Sequence, residues 1–168
     1  MHGRHKKRPM LIWRYMQEFI IRLMADYMVF LVVILGTYAL VYKVPKKDRF
    51  KAYVRVLLAG LTAYLLAKIV GHFYQPDGAR PFELMGQAAK ASYLDNAGFP
   101  SDHMTFVTAI TLAVWFETKN KPIAITLAVM SLIVGVGRVL ALVHTPLDVI
   151  GGVIFALIGS LWYLTSKK

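Results

Sequence analysis

The chain contains no cysteine. It can form no disulfide and offers no thiolate to a metal, although this says nothing about compartment. Acidic residues are also scarce, 9 Asp and Glu against 20 Lys and Arg, for a net charge of +11. Such an excess can mark a nucleic-acid binder. Here the bases gather in short connectors between apolar runs and are not interleaved with aromatics, which argues against nucleic acid and for topology signals. Internal repeats and low-complexity tracts are missing. Charged residues make up only 17% of the 168 positions, whereas 57% are hydrophobic. The mean hydropathy of +0.52 is high for a soluble domain. The length suits one domain.

Along the chain, residues 1–9 (MHGRHKKRP) form a basic tail suited to anionic headgroups. A cleaved signal peptide is the rival, but Arg14, Glu18 and Arg22 interrupt the following apolar stretch and no small-residue cleavage site follows. Residues 10–26 read as an amphipathic helix, with Arg14, Glu18, Arg22 and Asp26 recurring every four residues on one face. It either lies in the interface or packs on the spans with its charges solvated. Residues 27–44, 53–73, 102–118, 123–143 and 147–165 are apolar runs expected to cross a membrane, at close to the ~20 residues this needs. Residues 74–100, with Pro76, Gly78, Pro81, Gly98 and Pro100, form a polar loop. The expected fold is an all-α polytopic membrane helical bundle, a single domain over residues 1–168. It has five to six transmembrane helices and an N-terminal amphipathic helix.

Alternation of the runs sorts the connectors. Bases from Lys43 to Arg55, with Lys119, Lys121, Lys167 and Lys168, share one side with only Asp48 and Glu117. The positive-inside rule makes that side cytoplasmic. The loop 74–100 and the corner Arg138–Asp148 then meet on the outer side of the cytoplasmic (inner) membrane. Five spans leave the basic N-terminus outside, against the rule; six would place it inside. Neither Gly nor Pro marks a turn between Met24 and Phe30, and five spans with an outer interfacial helix is the preferred reading.

The chemistry gathers at that mouth. Ionisable groups within a membrane segment ordinarily face a cavity, a partner or a site, and Arg138, His144 and Asp148 stand between two apolar runs. Ser101 is a favoured N-cap for the helix opening at 102, whose first-turn N–H groups suit an anion, with His103 beside them. Singly, each residue has an ordinary explanation: a capped helix with an incidental His103, a solvated Arg80, a snorkelling Lys68, a spectator His72. Together, three cations, two histidines and a carboxylate around a helix N-terminus suit a phosphoryl group, whose transfer relies on positioning and charge stabilisation. They suit a metal poorly, because the arginines and lysine would repel it. No cofactor is expected.

Arg80-Pro81, then Pro100-Ser101-Asp102-His103, then Arg138, His144 and Asp148 as R-x5-H-x3-D resemble the three-part signature of the type-2 phosphatidic acid phosphatase superfamily. The resemblance runs from Lys68 to the C-terminus. It implies a helical membrane bundle and metal-independent hydrolysis. It makes His144 the nucleophile that becomes a phosphohistidine, oriented by Asp148. His103 protonates the leaving oxygen and then activates water. Lys68, Arg80, Arg138 and Ser101, with backbone N–H groups near Asp102, hold the phosphate oxygens.

Three departures stand out. Eleven residues separate Lys68 from Arg80, where the family usually places its lysine six or seven residues ahead of Arg-Pro; His72 lies nearer that place. Gly137 replaces the usual Ser before Arg138. Asp102 replaces the usual Gly, a variant that resembles the undecaprenyl diphosphate phosphatases of the superfamily.

The resulting expectation is an integral membrane enzyme that hydrolyses a lipid phosphate or diphosphate, undecaprenyl diphosphate foremost. Lipid A 1-phosphate and phosphatidylglycerophosphate are rival substrates, since one fold hosts many. A vanadate-dependent haloperoxidase shares such a site, but resembles soluble proteins. A non-catalytic membrane protein, a small transporter or assembly subunit, is the third class. Oligomeric state is not legible in the sequence.

Overall fold

The computed structural model describes residues 7–76, 78–96 and 98–165, with side chains from residue 12 onward. Most of the basic tail 1–9, and the basic C-terminus Ser166-Lys167-Lys168, lie outside the described residues. Among the described residues every regular element is helical, so the fold is a helical bundle.

The N-terminal part is one continuous helix. Helix α1 (Lys7–Arg22) passes through a π-helical turn, Leu23–Tyr27, straight into α2 (Met28–Lys43). The turn is set by the Met28 N–H donating to the Leu23 carbonyl, five residues back. With neither Gly nor Pro to break it, the expected amphipathic segment 10–26 joins the first apolar run by an overwide turn instead of a corner. Pro45 and a short 3-10 turn, Lys46–Asp48, lead into α3 (Arg49–Phe73). The one-turn α4 (Pro81–Leu84) lies in the polar loop. Then come α5 (Asp102–Glu117), α6 (Lys121–Leu140) and α7 (Pro146–Gly159), the last extended by a 3-10 turn, Ser160–Tyr163. Cap chemistry fixes two of these starts. The Asn120 side chain accepts from the Ile123 N–H at 3.2 Å, and Thr145 and Asp148 form a capping box.

Four helical stretches among the described residues are long and apolar enough to cross a membrane: Ile12–Lys43, Lys46–Phe73, Lys121–Leu140 and Pro146–Tyr163. Helix α5, with 16 residues, reaches only about 24 Å, against about 30 Å of hydrocarbon. It is also the central helix, packed on α2, α3, α6 and α7. Four helices pack on it, while Phe106, Trp115 and Phe116 on its outer face stay 38–52% exposed. Large apolar side chains point outward: Phe30, Ile34, Leu57 and Leu132 are each 60–67% exposed, a surface that suits lipid.

Small residues let the helices approach closely, as in membrane bundles generally. The buried positions of α3 are Ala52, Ala59, Ala63, Ala67 and Gly71. A Cβ on Gly159 of α7 would strike the Ala59 carbonyl. At the other end of α7, a Cβ on Gly152 would come within 2.7 Å of the Ser101 carbonyl, and one on Gly151 within 2.5 Å of the Phe99 ring. These glycines bring α7 onto the N-terminus of α5, where the Ser101 N–H donates to the Asp148 carbonyl at 3.0 Å.

Candidate active site

The segment Ala141–Thr145 between α6 and α7 carries His144. Leu142 adopts a left-handed φ of 61°, uncommon for a branched residue, as the chain leaves α6. The Phe82 N–H binds the Leu142 carbonyl at 3.0 Å. His144 is 4% exposed, and its Nδ1 lies 3.4 Å from Asp148 Oδ2. That is a close contact but long for a hydrogen bond, and Nδ1 has no hydrogen-bond partner among the described residues. The same Oδ2 accepts from the Thr145 N–H at 2.8 Å. Asp148 is therefore held by the cap of α7 and presented to the imidazole. Burial pushes the His144 pKa below its ordinary value; the Asp148 carboxylate opposes this, and Arg138 and Arg80 reinforce it. The net shift favours the neutral ring.

The first turn of α5 supplies Ser101, Asp102 and His103. Ser101 occupies the N-cap position, but its side chain does not cap. Its Oγ is fully buried and has no hydrogen-bond partner among the described residues. His103 lies close enough to Arg138, His144, Asp26 and Asp102 to interact electrostatically with each, which puts both histidines in one cluster. Asp102 is not a bare acid beside an anion site. Both its oxygens accept from Lys68 Nζ, at 2.8 and 2.7 Å. His72 is exposed, its ring edge-on to Phe73. The eleven-residue interval before Arg80 thus leaves Lys68, and not His72, beside the α5 N-terminus.

The two arginines differ. Arg80, 5% exposed, is not a solvated loop charge. Its Nη1 donates to the Val143 carbonyl at 2.6 Å, and its Nη2 to the Leu94 and Asn96 carbonyls and to Asn96 Oδ1. It also lies over the Tyr93 ring, 5.4 Å from its centroid. Arg80 thereby ties the polar loop to the His144 corner. Arg138, 1% exposed, uses Nη1 for the Asp26 carboxylate at 3.1 Å and the Ser92 carbonyl at 2.8 Å. Its Nε is buried and has no hydrogen-bond partner among the described residues.

Sequence reasoning missed Asp26, Thr145, Gln75 and Asn96. Thr145-Pro146 followed by Asp148 is a readable capping box. Gln75 holds Phe99 from both sides of its peptide: it accepts from the Phe99 N–H and donates to the Phe99 carbonyl. No sequence signal marks that bond, nor the pairing of Asp26 across 112 positions with Arg138. Among the described residues no three His, Asp or Glu side chains gather as metal ligands would.

A sequence model of the PAP2 superfamily matches residues 52–168, which include every residue of the cluster except Asp26. Undecaprenyl-diphosphatase BcrC of Bacillus subtilis (strain 168) is 33% identical over 101 residues, 60% of this chain and 49% of that protein. The match thus spans about half the length of that relative. No solved structure matches the chain.

Proposed function

The chain belongs to the PAP2 superfamily, and from that premise we propose that it is a membrane lipid phosphatase that works through a phosphohistidine. The observation that carries the reading is that His103, His144 and Arg138 lie within electrostatic range of one another at the α5 N-terminus, in a buried setting whose polar groups are only partly bonded.

In the proposed reaction, the ring nitrogen of His144 away from Asp148 attacks phosphorus as the bond to the leaving oxygen breaks. His103 gives that oxygen a proton. Asp148 stabilises the imidazole as it gains charge. His103, now deprotonated, takes a proton from water; the resulting hydroxide displaces His144 and releases inorganic phosphate. Arg138, Lys68, Ser101 and the first-turn N–H groups of α5, with Arg80 behind them, stabilise the oxygens in transit. No metal takes part.

Undecaprenyl diphosphate is the foremost candidate substrate. The Asp102 variant and the similarity to BcrC support it, while lipid A 1-phosphate and phosphatidylglycerophosphate remain the alternatives to test. An apolar groove of about 440 Å³ between α5, α6 and α7 supports a lipid tail, since its lining residues Met104, Leu140 and Pro146 adjoin the cluster. The charge bias of the connectors supports a site on the outer side of a cytoplasmic membrane. Phosphate release by purified protein from each of the three lipids, in detergent with and without EDTA, tests the reading. The expected result is fastest release from undecaprenyl diphosphate, unaffected by EDTA; absence of release from all three overturns it. The depressed pKa of His144 also sets a pH dependence. The nucleophile becomes protonated only below the ordinary imidazole range, so the acid limb of kcat falls below pH ~6.5. Asp148→Asn, by removing the charge that raises that pKa, moves the limb lower still.

A further inference from the structure

The π-helical turn Leu23–Tyr27 has a partner in the site. Asp26 Oδ1 accepts from Arg138 Nη1 at 3.1 Å, and its Oδ2 accepts from the Ser92 N–H at 3.0 Å. The Ser92 carbonyl accepts from the same Nη1 at 2.8 Å. The three groups close a ring that grips one corner of the guanidinium and leaves Nε buried and unbonded. Two further observations show that the chain is shaped around this contact. A Cβ on Gly137 would lie 2.7 Å from the Ala25 nitrogen and 2.8 Å from the Met24 carbonyl carbon, so α6 touches the π-turn through backbone where a serine would not fit. In an ideal α-helix residues four apart drift around the axis by about 40° per step. A π-turn winds more slowly and opposes that drift. Arg14, Glu18 and Arg22 border a groove with Gln87–Lys90, and Asp26 stays on that side to meet Ser92, two residues further along the same loop.

Accepting the phosphatase reading above, we propose that Asp26, which lies outside residues 52–168, is a positioning residue. It fixes the guanidinium of Arg138 so that the unbonded edge faces the phosphoryl group in flight. The N-terminal helix is then part of the catalytic apparatus, and not only a membrane anchor. Asp26 touches no reacting atom. It acts through Arg138, and its loss is felt most where charge develops, because misplacing a stabilising group by an ångström can cost about a hundredfold in rate.

The test uses the full chain in detergent and the lipid phosphate that the wild-type protein hydrolyses fastest. Inhibition constants are measured for orthovanadate, which adopts the five-coordinate geometry of the transferring group, and for inorganic phosphate. An inhibition constant does not depend on the fraction of protein that is active, so it separates positioning from damaged folding. Asp26→Asn should lower kcat by about ten- to a hundredfold and raise the vanadate constant at least about tenfold, with the phosphate constant changing less. Asp26→Glu, which keeps the charge on a longer arm, should fall between Asn and wild type, and it carries the test if the Asn protein cannot be purified. A vanadate constant at the wild-type value in either active variant overturns the proposal while leaving the phosphatase reading intact. A wild-type protein that neither hydrolyses lipid phosphates nor responds to vanadate overturns both.

Discussion

The two ends of α5 treat charge in opposite ways. At the C-terminal end, Arg55 and Glu117 form a two-pronged pair, Nε to Oε1 at 2.6 Å and Nη2 to Oε2 at 2.5 Å. The carboxylate is answered on both oxygens, in the geometry that gives Arg–carboxylate pairs their strength. At the N-terminal end, Arg138 Nε and Ser101 Oγ are buried and have no hydrogen-bond partner among the described residues. Leaving such groups unmet costs about 1–3 kcal/mol each. Closure favours the bundle, and incompleteness favours a ligand that brings its own acceptors.

The largest break comes at the open end. His144→Ala or His103→Ala should lower phosphate release by ~10³-fold or more, with elution and thermal unfolding close to wild type. Activity within tenfold of wild type in either variant would remove that residue from its assigned role.

Lys68 and Asp102 form the shortest ion pair described at this end, with side chains 39% and 32% exposed. Lys68→Met strands a carboxylate beside the phosphate and should reduce kcat/KM by about ten- to a hundredfold. Restoring neutrality with Asp102→Asn on top should recover part of the loss. The two changes are then non-additive, and strict additivity in the four-protein cycle would show that Asp102 does not need its lysine.

At the closed end the expected readout is stability. Arg55→Met alone leaves Glu117 buried and uncompensated, which costs about 3 kcal/mol and lowers the unfolding midpoint. Adding Glu117→Leu should return most of it, and kcat per folded molecule should not move in either protein. A fall in kcat would tie the two ends together.

The smallest effect sharpens the contrast. Ser101→Ala removes a hydroxyl with no hydrogen-bond partner among the described residues, so stability should hold or rise slightly. Phosphate release should drop severalfold, in keeping with the loss of one neutral donor.

How much could be read in advance follows from the range of each interaction. A bilayer demands long apolar runs, so the helical bundle is written plainly in the sequence. Arg138, His144 and Asp148 lie within one short stretch, and alternation of the runs places them with the loop carrying Arg80 and with Ser101, Asp102 and His103. Partner choice was not legible. The same lysine could have met a phosphate, a headgroup or Asp102, and only the folded arrangement distinguishes these. Arg80 looks like a solvated charge until Val143, Leu94 and Asn96 are seen to surround it. Asp26 sits on a period-four stripe that fits a surface helix just as well, and the overwide turn that keeps it there has no residue signature in this chain.

The seam between α3 and α7 has a bearing on how this sequence can change over generations. Its contact is made by Ala59, Ala63 and Gly159, with carbonyl against α-carbon. No rotamer is available there to absorb an added methyl. Drift is therefore tolerated on the outward positions, where one bulky apolar group serves as well as another, and is nearly forbidden along this line. Descendants of the chain should keep three small residues there long after the surrounding letters have been rewritten.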